Sequence, residues 1–206
     1  MHEAKEGIVK NCAPKNPSNI ILRIEFPDTN LEIKLEIDRV IDRLKTKQVA
    51  EIRLSAAVAL LQKIGKTAKI LQSKRQLPNV VMTKLIKPFE TARLTAQHIG
   101  NVCYGLQGLE GSDPSTKQLV TVLVQKIEAS DAVLSAQAIG NACYGLKGLE
   151  GSDPSTKQLV NVLAGKIGAS HVALDAQAIG NACYGLQGLE GSDPSTKQLV
   201  NVLAQK

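Results

Sequence analysis

Apolar residues in the second half of the chain recur at helical spacing, and the whole pattern then repeats. Advanced by the helical angle from Ala96, Ile99, Val102, Cys103, Leu106 and Leu109 fall within an arc of about 140°, which predicts a helix buried along one stripe. Gly105, Gly108 and Gly111 loosen that helix and end it near Leu109. The chain restarts at Ser112-Asp113-Pro114, with Asp113 placed as an N-cap and Pro114 at the first helical position. A second helix then carries Leu119, Val120, Leu123, Val124 and Ile127 on its buried side. The same pair of helices, A and B, returns in copies that start at Leu94, Leu134 and Leu174, a period of 40 residues. Thr95, Ser135 and Asp175 each precede a helix A, and all three are good N-caps. A fixed period of this length is the mark of stacked units that cannot bury their apolar faces alone.

The first half patterns differently. Residues 1–18, with Pro14 and Pro17, read as a flexible lead-in. Ile20, Leu22, Ile24 and Phe26 alternate with polar residues, as do Leu31, Ile33, Leu35 and Ile37, and Pro27-Asp28-Thr29-Asn30 between them has turn composition. Pairing residue 26 with 31 and 24 with 33 puts every apolar side chain on one face, which predicts a β-hairpin. A competing reading starts a helix near Leu31, since Ile37, Val40, Ile41 and Leu44 have helical spacing, and a helix from about Asp38 satisfies both patterns. Residues 48–93 read as helical, with a segment entered at Pro78. Leu54-Ser55-Ala56 lies 40 residues before Leu94-Thr95-Ala96, which suggests a degenerate first repeat serving as a cap. The expected organisation is therefore a lead-in at 1–18, a hairpin plus short helix at 19–47, a helical cap at 48–93, and repeats at 94–133, 134–173 and 174–206. The fold class is mainly α: an α-solenoid of helix-turn-helix repeats with a small N-terminal cap containing a β-hairpin. The sequence stops just after the third helix B with no polar cap, so the array is expected either to be truncated or to associate end to end with another molecule.

Composition narrows the chemistry. Tryptophan is absent and aromatics make up 2% of residues, so the core has to be aliphatic. The net charge of +6 is uneven, with 18 Lys/Arg against 10 Asp/Glu in residues 1–93 and 7 against 9 in residues 94–206. Anionic partners are thus drawn first to the N-terminal half. Cys103, Cys143 and Cys183 occupy one position of the repeat, and stacked helices about 8–10 Å apart hold such residues beyond disulfide reach. They are expected to stay reduced, in an intracellular, cytoplasmic compartment, although export without a cleaved signal stays open. No zinc-ligand spacing, apolar leader or membrane-length apolar run is visible, so neither a metal, a cofactor nor a membrane is expected.

Opposite the core stripe, Gln97, Asn101 and Tyr104 share one side of helix A, and Gln137, Asn141, Tyr144 and Gln177, Asn181, Tyr184 repeat them. Stacked, these predict parallel ladders of amide and phenol groups, suited to hydrogen-bonding base edges and stacking on rings. Such residues also commonly bond one repeat to the next. His98, Gln107, Lys147 and Gln187 lie at positions that vary among copies and are candidates for specificity. Lys117, Lys157 and Lys197 start helix B, where they either touch phosphates or are simply solvated. The GLQGLEG segment lacks the Lys-Ser/Thr of a phosphate loop and reads as a helix exit. No nucleophile, base and orienting group converge in a recurring way, which argues against an enzyme.

The string AQxIGNxCYGLxGL resembles the signature of octatricopeptide repeats, with Gln97, Ile99, Asn101, Tyr104 (in place of Trp) and Leu106 matching, and their equivalents in the later copies. The segment SDPSTKQLV departs from the family's proline-rich stretch, and the nuclease-like domain that often accompanies related repeats is missing. The resemblance implies single-stranded RNA binding along a concave helix A surface, about one base per repeat. The alternative is a scaffold for a protein or extended peptide, which the negative balance of residues 94–206 favours.

Overall fold

The computed structural model describes residues 21–22, 30–46, 49 and 51–206. Among these, the chain is mainly helical. A short β1 (Ile21–Leu22) precedes α1 (Asn30–Lys45), β2 (Glu51–Ile52), α2 (Leu54–Leu71) and α3 (Asn79–Thr91). Three helix pairs follow: α4 (Ala96–Leu106) with α5 (Pro114–Glu128), α6 (Ala136–Leu146) with α7 (Pro154–Ala169), and α8 (Ala176–Leu186) with α9 (Pro194–Leu203).

The hairpin expected between residues 20 and 37 is replaced by something else. Its second limb lies in α1, and β1 instead pairs in parallel with β2, Ile21 beside Glu51 and Leu22 beside Ile52. Pro27, Asp28 and Thr29 of its turn and the rest of its first limb fall outside the described residues, as do residues 1–18. The helix wins because Ile33, Ile37, Val40, Ile41 and Leu44 form one buried face at three- and four-residue spacing, whereas Leu35, which a strand would bury with Ile33 and Ile37, is 50% exposed. The helix expected from residue 48 likewise begins later, at Leu54, because residues 51–52 are taken by β2.

Each of the three pairs starts and stops where its chemistry dictates. Asp113, Asp153 and Asp193 accept hydrogen bonds from the backbone N–H of Ser115, Ser155 and Ser195, and a proline opens each helix behind them. Thr95, Ser135 and Asp175 cap α4, α6 and α8 in the same way. Helix A ends at Leu106 rather than Leu109, because the Gly108 and Leu109 N–H groups turn back onto Gly105 and Leu106. Leu109 is buried all the same.

The pairs stack in two rows. α2, α4, α6 and α8 pack in succession along one row, and α3, α5, α7 and α9 along the other. Between the rows runs one aliphatic core containing Ile99, Val102, Leu106, Leu119, Leu123 and Ile127 and their counterparts in the next pair. Within the first row the helices meet backbone to backbone: a Cβ at Gly145 would lie 1.8 Å from the Cys103 carbonyl oxygen, and one at Gly185 would lie 1.8 Å from that of Cys143. In the second row a Cβ at Gly168 would meet only the Val202 side chain, at 3.8 Å. Ser130 and Ser170 tie the end of each pair to its own start, donating to the carbonyls of Leu94 (2.7 Å) and Leu134 (2.9 Å), and Lys166 ties one pair to the preceding one by donating to the Ser130 carbonyl.

The α2–α3 pair continues both rows, α2 packing on α4 and α3 on α5. Its register is not the one suggested by Leu54-Ser55-Ala56. Gly105 packs on Leu61 as Gly145 packs on Cys103, so α2 and α4 are offset by two residues more than the later pairs. Gln62 therefore takes the place of Tyr104.

Candidate nucleic-acid interface

The side of α4, α6 and α8 that faces away from the second row carries the expected amide and phenol groups. Gln97, Gln137 and Gln177 are exposed, and Asn101, Asn141 and Asn181 are half-buried. Gln62 Nε2 donates to Asn101 Oδ1 at 3.1 Å, so at the first junction the asparagine does bond one unit to the next.

The tyrosines form a column. The Tyr104 and Tyr144 rings stack with centroids 5.3 Å apart, and Tyr144 and Tyr184 with centroids 4.7 Å apart. Tyr144, in the middle, is 4% exposed, whereas Tyr184 at the end is 37% exposed. The rings cover one another because the glycine contacts draw the helices too close for anything to enter between them. Lys69 Nζ lies 4.9 Å from the centre of the Tyr144 ring and Lys147 Nζ lies 3.6 Å from that of Tyr184, both as cation–π contacts. Burial, together with the neighbouring phenols Tyr184 and Tyr104, pushes the Tyr144 hydroxyl up to about 12. The Lys147 ammonium holds the Tyr184 hydroxyl below its ordinary value.

The variable positions divide by role. His98 Nδ1 accepts from the Thr95 N–H at 3.4 Å while the His98 N–H donates to Thr95 Oγ1 at 3.2 Å, a capping box that uses the imidazole locally. Gln107 Nε2 donates to the Tyr104 carbonyl at 3.1 Å. Lys147 covers Tyr184, and Gln187 is exposed.

Charge is sorted by position. α2, α4, α6 and α8 contain no aspartate or glutamate, and α2 contributes Lys63, Lys66 and Lys69. Glu150, Asp153, Glu190 and Asp193 lie at the turns, where lysines of the second row neutralise them. Lys117 Nζ sits 2.8 Å from Asp153 and 3.5 Å from Glu150, and Lys157 Nζ sits 3.1 Å from Asp193 and 3.2 Å from Glu190. These lysines reach the following pair, not the aspartate of their own helix. Burial alone would raise the Asp153 carboxyl, but hydrogen bonds from Lys117 and Ser155 outweigh it and hold it at about 2. The Ser195 hydroxyl and Lys157 hold Asp193 at about 2. Gln76 takes the lysine's role at the first junction, donating to Asp113 at 2.5 Å.

Cys103 and Cys143 are buried free thiols, and burial pushes both up to about 12; Cys183 is free and exposed. Among the described residues, no group of three or more His, Cys, Asp or Glu side chains could hold a metal ion, and no helix is long and apolar enough to cross a membrane. The repeat period alone did not reveal Gln62 and Lys69, because the two-residue shift of α2 takes them out of the 40-residue register. In comparisons with known proteins, no protein family, no curated protein and no solved structure matches the chain.

Proposed function

We propose that this chain is a non-enzymatic α-solenoid that binds single-stranded RNA along the surface of α2, α4, α6 and α8. The carrying observation is the sorting of charge. That row has no carboxylate in its helices, and its basic end and exposed amides would meet a polyanion without repulsion, while Glu150, Asp153, Glu190 and Asp193 at the turns are paired with lysines. Backbone contact in the first row against side-chain contact in the second curves the array with this row on the inside, as the resemblance to octatricopeptide repeats implies. Gln97, Gln137 and Gln177, with the asparagines beside them, read base edges; Lys66 and Lys69 meet phosphates. The stacked tyrosines act as a floor, and Tyr184, the most exposed ring, offers the surface on which a base stacks. Reduced Cys103 and Cys143 fit a reducing compartment.

The test is fluorescence anisotropy with labelled homopolymeric RNA. Lys66→Glu with Lys69→Glu is expected to weaken binding at least tenfold, and Gln137→Ala to weaken it for some homopolymers more than others. Equal affinity of the charge-reversed protein would refute the reading. An extended peptide is the second reading, supported by the excess of acidic over basic residues in 94–206.

A further inference from the structure

Three lysines from three separate segments gather at the C-terminal end of α6. Lys69 Nζ, from the last turn of α2, lies 4.9 Å from the centre of the Tyr144 ring. Lys74 Nζ, from the loop between α2 and α3, donates to the Gly148 carbonyl at 2.8 Å. Both side chains reach past the α4–α5 pair to do so. Lys147, which directly follows α6, places its Nζ 3.6 Å from the centre of the Tyr184 ring. The Tyr144 and Tyr184 rings are 4.7 Å apart, and the Tyr184 hydroxyl is held below its ordinary value by Lys147 first, then by the Tyr144 hydroxyl and Lys69. The ammoniums and phenols thus share one neighbourhood. Among the described residues, no carboxylate pairs with Lys69, Lys74 or Lys147, whereas Lys117 and Lys157 each pair with two.

We propose that Lys69, Lys74 and Lys147 hold a terminal phosphate of the single-stranded RNA, an inference that rests on the proposed RNA binding. Two observations favour an end over an internal phosphate. A contact made to every internal phosphate would recur with the repeat, but this cluster does not, because Gln107 and Gln187 stand where the second copy has Lys147. Its charge also fits a monoester better. An internal diester brings a single negative charge, whereas a phosphate monoester brings about −1.5 to −2 and three acceptor oxygens, one for each ammonium. The ammoniums have hydrogens left to meet them. Lys74 gives one of its three N–H groups to Gly148, and the ring faces hold Lys69 and Lys147 by charge alone.

The test is isothermal titration calorimetry of the whole protein with homopolymeric RNAs that end in hydroxyls, in a 5′-phosphate or in a 3′-phosphate. One phosphorylated form is expected to bind about tenfold more tightly than the hydroxyl-ended RNA, the effect of a hydrogen bond between charged partners. Lys147→Gln, which places there the side chain that Gln107 and Gln187 carry, should abolish that preference and leave helicity and hydroxyl-ended binding unchanged. Lys74→Gln should do the same. Equal binding of all three RNAs would overturn the subsite and leave the proposed RNA binding standing. A preference that survives both substitutions would overturn the assignment to these lysines. The phosphorus resonance of adenosine 5′-monophosphate covers the remaining case. If no RNA binds but that resonance shifts with the unsubstituted protein and not with Lys147→Gln, the ligand is a free nucleotide and the assignment to RNA falls. If neither responds, the subsite falls with it.

Discussion

Replacing Gly145 with alanine puts a methyl group 1.8 Å from the Cys103 carbonyl oxygen and 2.4 Å from its carbon. Ordinary contact at that point needs about 3.3 Å, the usual carbon–oxygen separation. The obstacle is helical backbone, so no side chain can swing aside, and α6 has to move off α4 by about 1.5 Å. Such a shift loosens the Tyr104–Tyr144 stack and the core beneath it. Overpacking of this kind costs about 3 kcal/mol at the upper end of the common range, and alanine's better helix propensity returns about 1 kcal/mol. The net loss is about 2 kcal/mol. With a urea dependence of about 2 kcal/mol per molar, the unfolding midpoint falls by about 1 M. Gly165→Ala supplies the contrast: it also lies in a helix, nothing stands within 4 Å, and it should raise the midpoint by up to about 0.5 M. Urea titrations followed by circular dichroism at the helical band measure both. Equal or greater stability of Gly145→Ala would refute backbone contact as the basis of the first row.

Three further outcomes are expected. The folded-state carboxyls of Asp153 and Asp193 lie near 2, below the unfolded value of about 3.9, so their contribution is fully present above that value and is lost as pH falls through about 2; melting temperatures from pH 7 to pH 2 should show the loss in that window, reduced in Lys117→Ala with Lys157→Ala. At pH 8, Cys103 and Cys143 should resist a thiol reagent in the folded protein while Cys183 reacts, since burial holds the first two near 12; rapid modification of three repeat thiols without denaturant would contradict this. Gln72 closes α2 at φ 49°, a left-handed conformation that costs a side-chain-bearing residue about 1 kcal/mol, so Gln72→Gly should raise stability by about 0.5–1 kcal/mol in urea titration.

What could be read from the sequence depended on how many patterns a residue serves. The helix pairs from Ala96 onward were legible apart from the end of helix A, because caps, proline positions and apolar spacing agree there. Leu31–Ile37 were not, because Ile33 and Ile37 satisfy a strand and a helix equally; only the extension through Val40, Ile41 and Leu44 decides, and Leu35 ends up exposed. Strand β2 left no pattern in two residues, and its partner lies far away in sequence. On the candidate surface, the positions of Gln97, Asn101 and Tyr104 followed from the helical wheel. That the tyrosines would cover one another did not, because it depends on how closely Gly105, Gly145 and Gly185 let the helices approach. The destination of Lys117 was likewise hidden, since its partners belong to the next pair.

The most direct measurement is the salt dependence of RNA affinity. Two phosphate contacts, one each at Lys66 and Lys69, give a slope of log affinity against log salt of about −1.4 for a single strand. Titrations of labelled homopolymeric RNA from about 50 mM salt upward should follow that slope, and it should shrink toward zero in Lys66→Glu with Lys69→Glu. Absence of binding at the lowest salt, or affinity that does not change with salt, would contradict the account.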